Sequence, residues 1–65
     1  MKRDFLHRGI RATISSSSEC EVMWSVFPAA DVEITDIVTA GEPVRAAKLA
    51  VAMACDEIDD WVKRR

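Results

Sequence analysis

Apolar and polar residues alternate along three stretches of the chain and then change to a helical period. Ile10, Ala12 and Ile14 are separated by Arg11, Thr13 and Ser15, the period of two expected of a strand with one face in a core. Cys20, Val22, Trp24 and Val26 repeat the pattern against Glu21, Met23, Ser25 and Phe27. The serines from Ser15 to Ser18, followed by Glu19, read as a hairpin loop between them, so the two strands are expected to be antiparallel. Pro28-Ala29-Ala30-Asp31 is expected to end the second strand, because proline has no N–H to give to a ladder. A third strand then turns Val32 and Ile34 inward between Glu33 and Thr35. Asp36 breaks that alternation ahead of Ile37 and Val38. Two readings follow: a bulge near Asp36 that restores the apolar face, or Asp36 exposed on a short edge strand.

Beyond Gly41 the period lengthens. Pro43 suits the first position of a helix, where its missing N–H costs nothing, which puts Glu42 near the cap. Val44, Ala47, Ala50, Val51, Ala54, Ile58, Trp61 and Val62 then fall on one helical face. The small residues in the first half of that stripe would let the helix sit close on a sheet. Asp59 with Lys63 and Asp60 with Arg64 have the favourable i,i+4 order, each pair worth about 0.2–0.5 kcal/mol. The expected fold is therefore α+β: a three-stranded antiparallel sheet packed on one C-terminal α-helix. It forms a single domain over 1–65, with an N-terminal segment at 1–8, the sheet at 9–39 and the helix at 42–65.

Length limits how stable such a fold can be. At 65 residues and 7.3 kDa a chain buries only about 60% of the surface it exposes when unfolded. Charge looks uninformative as a total, −2, and becomes informative by position. Residues 1–18 carry Lys2, Arg3, Arg8 and Arg11 against Asp4, and Lys63, Arg64 and Arg65 close the chain. The body from 19 to 62 holds ten acids against Arg45 and Lys48. An acidic body repels nucleic acid and steers basic protein surfaces towards it.

Few side chains offer chemistry. His7 is the single imidazole, with no orienting partner nearby in sequence, and reads as an exposed tail residue. The serine run has no base at a fixed spacing. Cys20 and Cys55 map to core-facing positions and read as small buried hydrophobes rather than a disulfide pair. Asp56, Glu57, Asp59 and Asp60 match no metal-binding loop, and the glycines, Gly9 and Gly41, make no phosphate loop. No catalytic residue, metal site or cofactor is expected, and the chain does not read as an enzyme. Met1-Lys2-Arg3 runs into Asp4 and His7 rather than an apolar stretch, so the expected setting is the cytoplasm of a bacterial host, away from membranes.

Two surfaces stand out instead. On the helix, Leu49 and Met53 lie one turn apart outside the core stripe, with Ala46 beside them and Asp56 and Asp60 continuing the same side. On the sheet, Met23 and Phe27 project from the face opposite the helix, near Glu21 and Glu33. Nothing covers that face unless Phe5-Leu6 folds back over it. The candidate partner-binding residues are thus Glu21, Met23, Phe27, Glu33, Leu49, Met53, Asp56, Asp59 and Asp60. They suit a protein partner with a basic surface, or a second copy of the chain.

In size, acidic surface and lack of catalytic residues the chain resembles the small proteins of phages and mobile elements, anti-CRISPR proteins among them. That resemblance implies steric or mimicry-based blocking of a nucleic-acid-processing complex, with Glu21, Glu33, Asp56, Asp59 and Asp60 standing in for phosphates. Over residues 10–62, Val26-Phe27-Pro28 followed by Gly41-Glu42-Pro43-Val44, Ala47, Ala50, Ala54 and Trp61 is similar to antitoxin domains of HicB type. Those domains neutralise a toxin ribonuclease; the chain departs from them in lacking Pro-Gly after Phe-Pro and in its longer third strand. A sheet on one helix also resembles DNA-binding modules of phage integrases. There Arg8 and Arg11 would contact phosphate, against the repulsion of Glu21 and Glu33.

Overall fold

The computed structural model describes residues 2–16, 18 and 20–64. Its elements run β1 (Lys2–His7), β2 (Ile10–Ser16), β3 (Glu21–Ala29), β4 (Val32–Thr39) and α1 (Pro43–Lys63). The fold class is α+β with one C-terminal helix, as the pattern indicates, but the antiparallel sheet has four strands in the order β1-β2-β3-β4, not three. The fourth is the segment 1–8, where Arg3, Phe5 and His7 alternate with Lys2, Asp4 and Leu6 and pair with β2 from Lys2↔Ser15 to His7↔Ile10. Its inward positions set Arg3 and His7 on either side of Phe5, so no apolar alternation betrays it. Arg8 and Gly9 make the connecting turn, with φ of 54° and 77°. Two successive left-handed residues are what a tight hairpin turn with the right twist requires. Gly9 takes that conformation without strain; Arg8 does not, and its side chain is anchored elsewhere, as shown below.

Pro28 does not end β3. It lies inside the strand, at the register shift between Val26 and Ala29, and a bulge is one of the few places a sheet tolerates proline. The bulge expected near Asp36 is therefore on the neighbouring strand, and Asp36 pairs in register with Trp24. It is exposed on the edge strand β4, the second of the two readings. The hairpin loop expected over Ser15–Ser18 begins later, since Ser15 and Ser16 belong to β2; Ser17 and Glu19 lie outside the described residues.

One face of the sheet and one stripe of the helix make the core. Ala12, Ile14, Val22, Trp24, Val26 and Val38 meet Ala46, Ala50, Ala54 and Ile58, all nearly or fully buried. Phe5 packs against the edge of this core from β1. Three alanines at i, i+4 and i+8 bring the helix backbone close to the strands, and Ile58 fills the wider end. The stripe is rotated from the one the sequence suggests. Ala46 is buried rather than lying beside Leu49 and Met53, and Val44 is 66% exposed. The helix meets β2, β3 and β4, most extensively β3. Glu42 is its N-cap and Pro43 opens it. At 21 residues it is about 31 Å long at 1.5 Å per residue, which sets the 35 Å long dimension of the molecule.

The alanine seam makes a testable statement about packing. Ala50→Leu keeps helix propensity but has no room against the sheet, and is expected to destabilise the fold by about 1–3 kcal/mol. Urea denaturation followed by tryptophan fluorescence measures this; an unchanged midpoint would show that the helix does not lie as close as described.

Candidate functional site

The two flanks of α1 differ in chemistry. On the β4 side a groove of about 530 Å³ runs between strand and helix, lined by Trp24, Ile34, Thr35, Asp36, Met53, Asp56, Glu57 and Asp60. Helical spacing explains the helix wall, because Met53, Asp56, Glu57 and Asp60 fall three and four residues apart on one side. Strand parity explains the other. Ile34 and Asp36 share the inward face of β4, and Asp36 stands directly opposite Trp24. The floor is apolar and the rim carries four carboxylates.

Among the described residues little neutralises that rim. Arg64 bridges Asp60 at 2.7 Å, an i,i+4 pair. The Asp36 carboxylate accepts the backbone N–H of Ile37 at 2.8 Å. No cation pairs with Asp36, Asp56 or Glu57 among the described residues. The indole N–H of Trp24 is buried without a hydrogen-bond partner.

The opposite flank is tied down. Asp59, grouped by sequence with the partner-binding acids, faces the β1–β2 turn. Its Oδ1 accepts a hydrogen bond from His7 Nε2 at 2.8 Å and a charged contact from Arg8 Nε at 2.9 Å. His7 is thus a half-buried residue with an orienting carboxylate, not an exposed tail histidine; its partner is 52 positions away, beyond the reach of local reading. The same contact holds Arg8 in its left-handed turn conformation and directs Asp59 Oδ1 towards the turn, away from Asp56 and Asp60. Cys55 lies one turn before Asp59. Burial pushes its thiol up from the ordinary value, and the Asp59 and Asp56 carboxylates push the same way, the reverse of what activates a cysteine nucleophile. Cys20 and Cys55 are both unbonded.

Nearer the helix N-terminus this flank holds a second groove of about 420 Å³, with Ile14, Val22, Val44 and Val51 in its walls and Arg3 and Lys48 at its edge. Apart from Asp59, the acids and bases that line the two grooves are therefore on opposite sides of the helix.

The remaining sequence candidates divide between two surfaces. Leu49 and Met53 are 42% and 41% exposed on the helix, and only Met53 lines the acidic groove. Glu21, Met23, Phe27 and Glu33 lie on the far face of the sheet, away from the helix. Sequence reading missed Asp36, Glu57, Trp24, Ile34 and Thr35 as groove residues. Asp36 left a signal, since it occupied an inward-parity position of its strand, and a charge there can only stand at the rim of something.

Compared with known proteins, the chain matches no family model, no curated protein and no solved structure. Among the described residues no group of three or more His, Cys, Asp or Glu side chains is arranged to hold a metal ion, and no helix is long and apolar enough to cross a membrane.

The Asp59 contacts predict a pH dependence. The His7 hydrogen bond and the Arg8 guanidinium hold the Asp59 carboxyl below its ordinary value of 3.8. A carboxyl lowered on folding stabilises the fold above its unfolded-state value, and that contribution is lost as pH falls through the folded-state value. Asp59→Asn is thus expected to destabilise at neutral pH and to converge with the parent as the medium is acidified below 3.8. Thermal melts of both proteins across pH test this, and a difference independent of pH would remove the ionic contribution.

Proposed function

We propose that the protein is a non-enzymatic, protein-binding inhibitor or regulator, and that the acidic groove between β4 and α1 receives a basic segment of its partner. The observation that carries this reading is the unneutralised rim of Asp36, Asp56 and Glu57, continued by Asp60, around the apolar floor of Trp24, Ile34 and Met53. Carboxylates set close together repel each other at a cost to the fold. A cationic partner converts that cost into attraction, steering the encounter over long range and fixing register at short range. The apolar floor supplies the desolvated centre that gives such contacts their affinity.

A surface that binds nucleic acid is basic, and an acidic groove suits it as a mimic of phosphate. The reading therefore extends to an anti-CRISPR-like role, in which the groove occupies a nucleic-acid-binding surface of a processing complex and blocks it. The rival reading, a DNA-binding sheet, is weakened by the same geometry. Glu21 and Glu33 lie on the open sheet face, Arg11 there is stacked on Phe27 at 4.3 Å, and Arg8 is spent on Asp59.

Two measurements test the proposal. Asp56→Lys combined with Asp60→Lys is expected to leave helical circular dichroism unchanged. It should also abolish retention of those host proteins that short duplex DNA or RNA elutes from the immobilised parent. Retention equal to the parent's removes the groove from consideration. A low-salt gel shift with random duplex DNA is expected to show no complex; a robust, salt-sensitive shift would overturn the inhibitor reading in favour of direct DNA binding.

A further inference from the structure

The face of the sheet turned away from α1 is covered by no element among the described residues. Leu6, Met23 and Ile37 on it are 71%, 38% and 52% exposed. Registers across the strands place Lys2, Ser15, Met23 and Ile37 in one row, and Leu6, Arg11 and Phe27 in another. Glu33 closes the second row beside the bulge. Between the two rows Ser25 Oγ and Thr35 Oγ1 bond each other at 2.9 Å, and Thr35 Oγ1 donates to Glu33 at 3.0 Å. The Ser25 and Thr35 hydroxyls are thus satisfied within the chain, whereas Thr13 and Asp4 in the same row need a partner or water when the face is covered.

The charges on this face are sorted by strand. Both cations, Lys2 and Arg11, lie on β1 and β2 together with Asp4, whereas the charges on β3 and β4 are carboxylates alone, Glu21 and Glu33. We propose that this face binds a second copy of the chain, sheet against sheet, about a two-fold axis running parallel to the strands. That axis lays the β1–β2 half of one copy over the β3–β4 half of the other, so Arg11 comes to lie beside Glu33 of the second copy and Lys2 over its Ile37. A two-fold axis across the strands would instead lay β1 on β1 with the rows reversed, setting Asp4 on Asp4 and Arg11 over Ser15. The Arg11–Glu33 pairing and the avoided Asp4–Asp4 contact thus select one orientation, with strands aligned within the roughly −30° usual for packed sheets.

The area is that of a weak, reversible pair. Four strands at about 4.8 Å and about seven residues at about 3.3 Å make a face about 19 by 23 Å, so two copies cover roughly 900 Å², within the range of transient interfaces. A chain this small also gains more from such burial than a large one does. The helix and both grooves remain open in the pair, which would present two acidic grooves. The inference is therefore independent of the function proposed for them.

Sedimentation velocity across the micromolar to millimolar range is expected to show a species of twice 7.3 kDa that dissociates on dilution. Met23→Glu is expected to weaken association by about tenfold or more, with an unchanged circular dichroism spectrum. The orientation has its own test. Arg11→Glu and Glu33→Arg should each weaken self-association, because each sets like charges together, whereas an equimolar mixture of the two should form heterodimers as tightly as the parent forms homodimers. A monomer at every concentration overturns the proposal, and so does a mixture no tighter than the single variants.

Discussion

The close approach of α1 to the sheet, through Ala46, Ala50 and Ala54, is the contact on which the rest of the structure depends. All three are fully buried, and they leave the volume above the strands to Ile14, Val22, Trp24 and Val26. Larger side chains there would lift the helix and open the core of a protein with only one layer of apolar residues on each side. Small residues cost hydrophobic payload, about 0.8 kcal/mol for each buried CH₂ forgone. The fold offsets that cost with breadth, spreading one helix across four strands. The fourth strand is held at its turn by a charged contact instead of by core packing. His7 and Arg8 reach Asp59, so the hairpin that begins the chain is tied to the last turns of the helix that ends it.

That tie also sorts the charges. Asp59 faces β1 and is consumed by the fold, while Asp56, Glu57 and Asp60 face β4 and meet Asp36 across the groove. One helical step separates an acid that contributes to stability from acids that oppose one another. The open face of the sheet shows a related division, with Lys2 and Arg11 beside Asp4 on β1 and β2, and carboxylates alone, Glu21 and Glu33, on β3 and β4. The molecule is therefore polar along the sheet, from a basic edge to an acidic one. The small net charge of −2 conceals this.

Periodicity made most of this fold legible, and its failures have physical causes. β2, β3 and β4 alternate with period two and were readable as strands; α1 was readable from its apolar repeat, its proline and the glycine before them. β1 was not, because an edge strand held on one side needs few apolar residues, and Arg3 and His7 take inward positions beside Phe5. The turn into it was half visible in Gly9, but Arg8 is an uncommon occupant of a left-handed position, and it stands there beside a partner 51 residues downstream. The position of Pro28 misled for a related reason, since a bulge in the adjoining register removes the objection to a proline in a strand. The helix face was misjudged in the first turns, where Ala46 is buried and Val44 exposed, because a stripe of alanines has weak hydrophobic contrast. Of the site, Met53, Asp56 and Asp60 could be read from the helix alone. Asp36 and Trp24 could not be joined to them without the crossing of the helix over β4.

The groove is where local rules and the fold disagree. A helix that already carries Asp59 gains nothing in stability from Asp56 and Glu57 on the adjoining side, and Asp36 places a further carboxylate on a strand position that Ile37, its outward neighbour, would suit better. Exchanging those two residues would put an apolar side chain over Trp24 and a charge in water, improving both faces at once. Proteins keep such inversions where a site depends on them, since stability alone selects against them. The exposed Ile37 and the groove-facing Asp36 are therefore one observation seen from two sides. The same inversion leaves an acid beside the helix, where a basic partner can use it, and an isoleucine on the open sheet, where a second copy can.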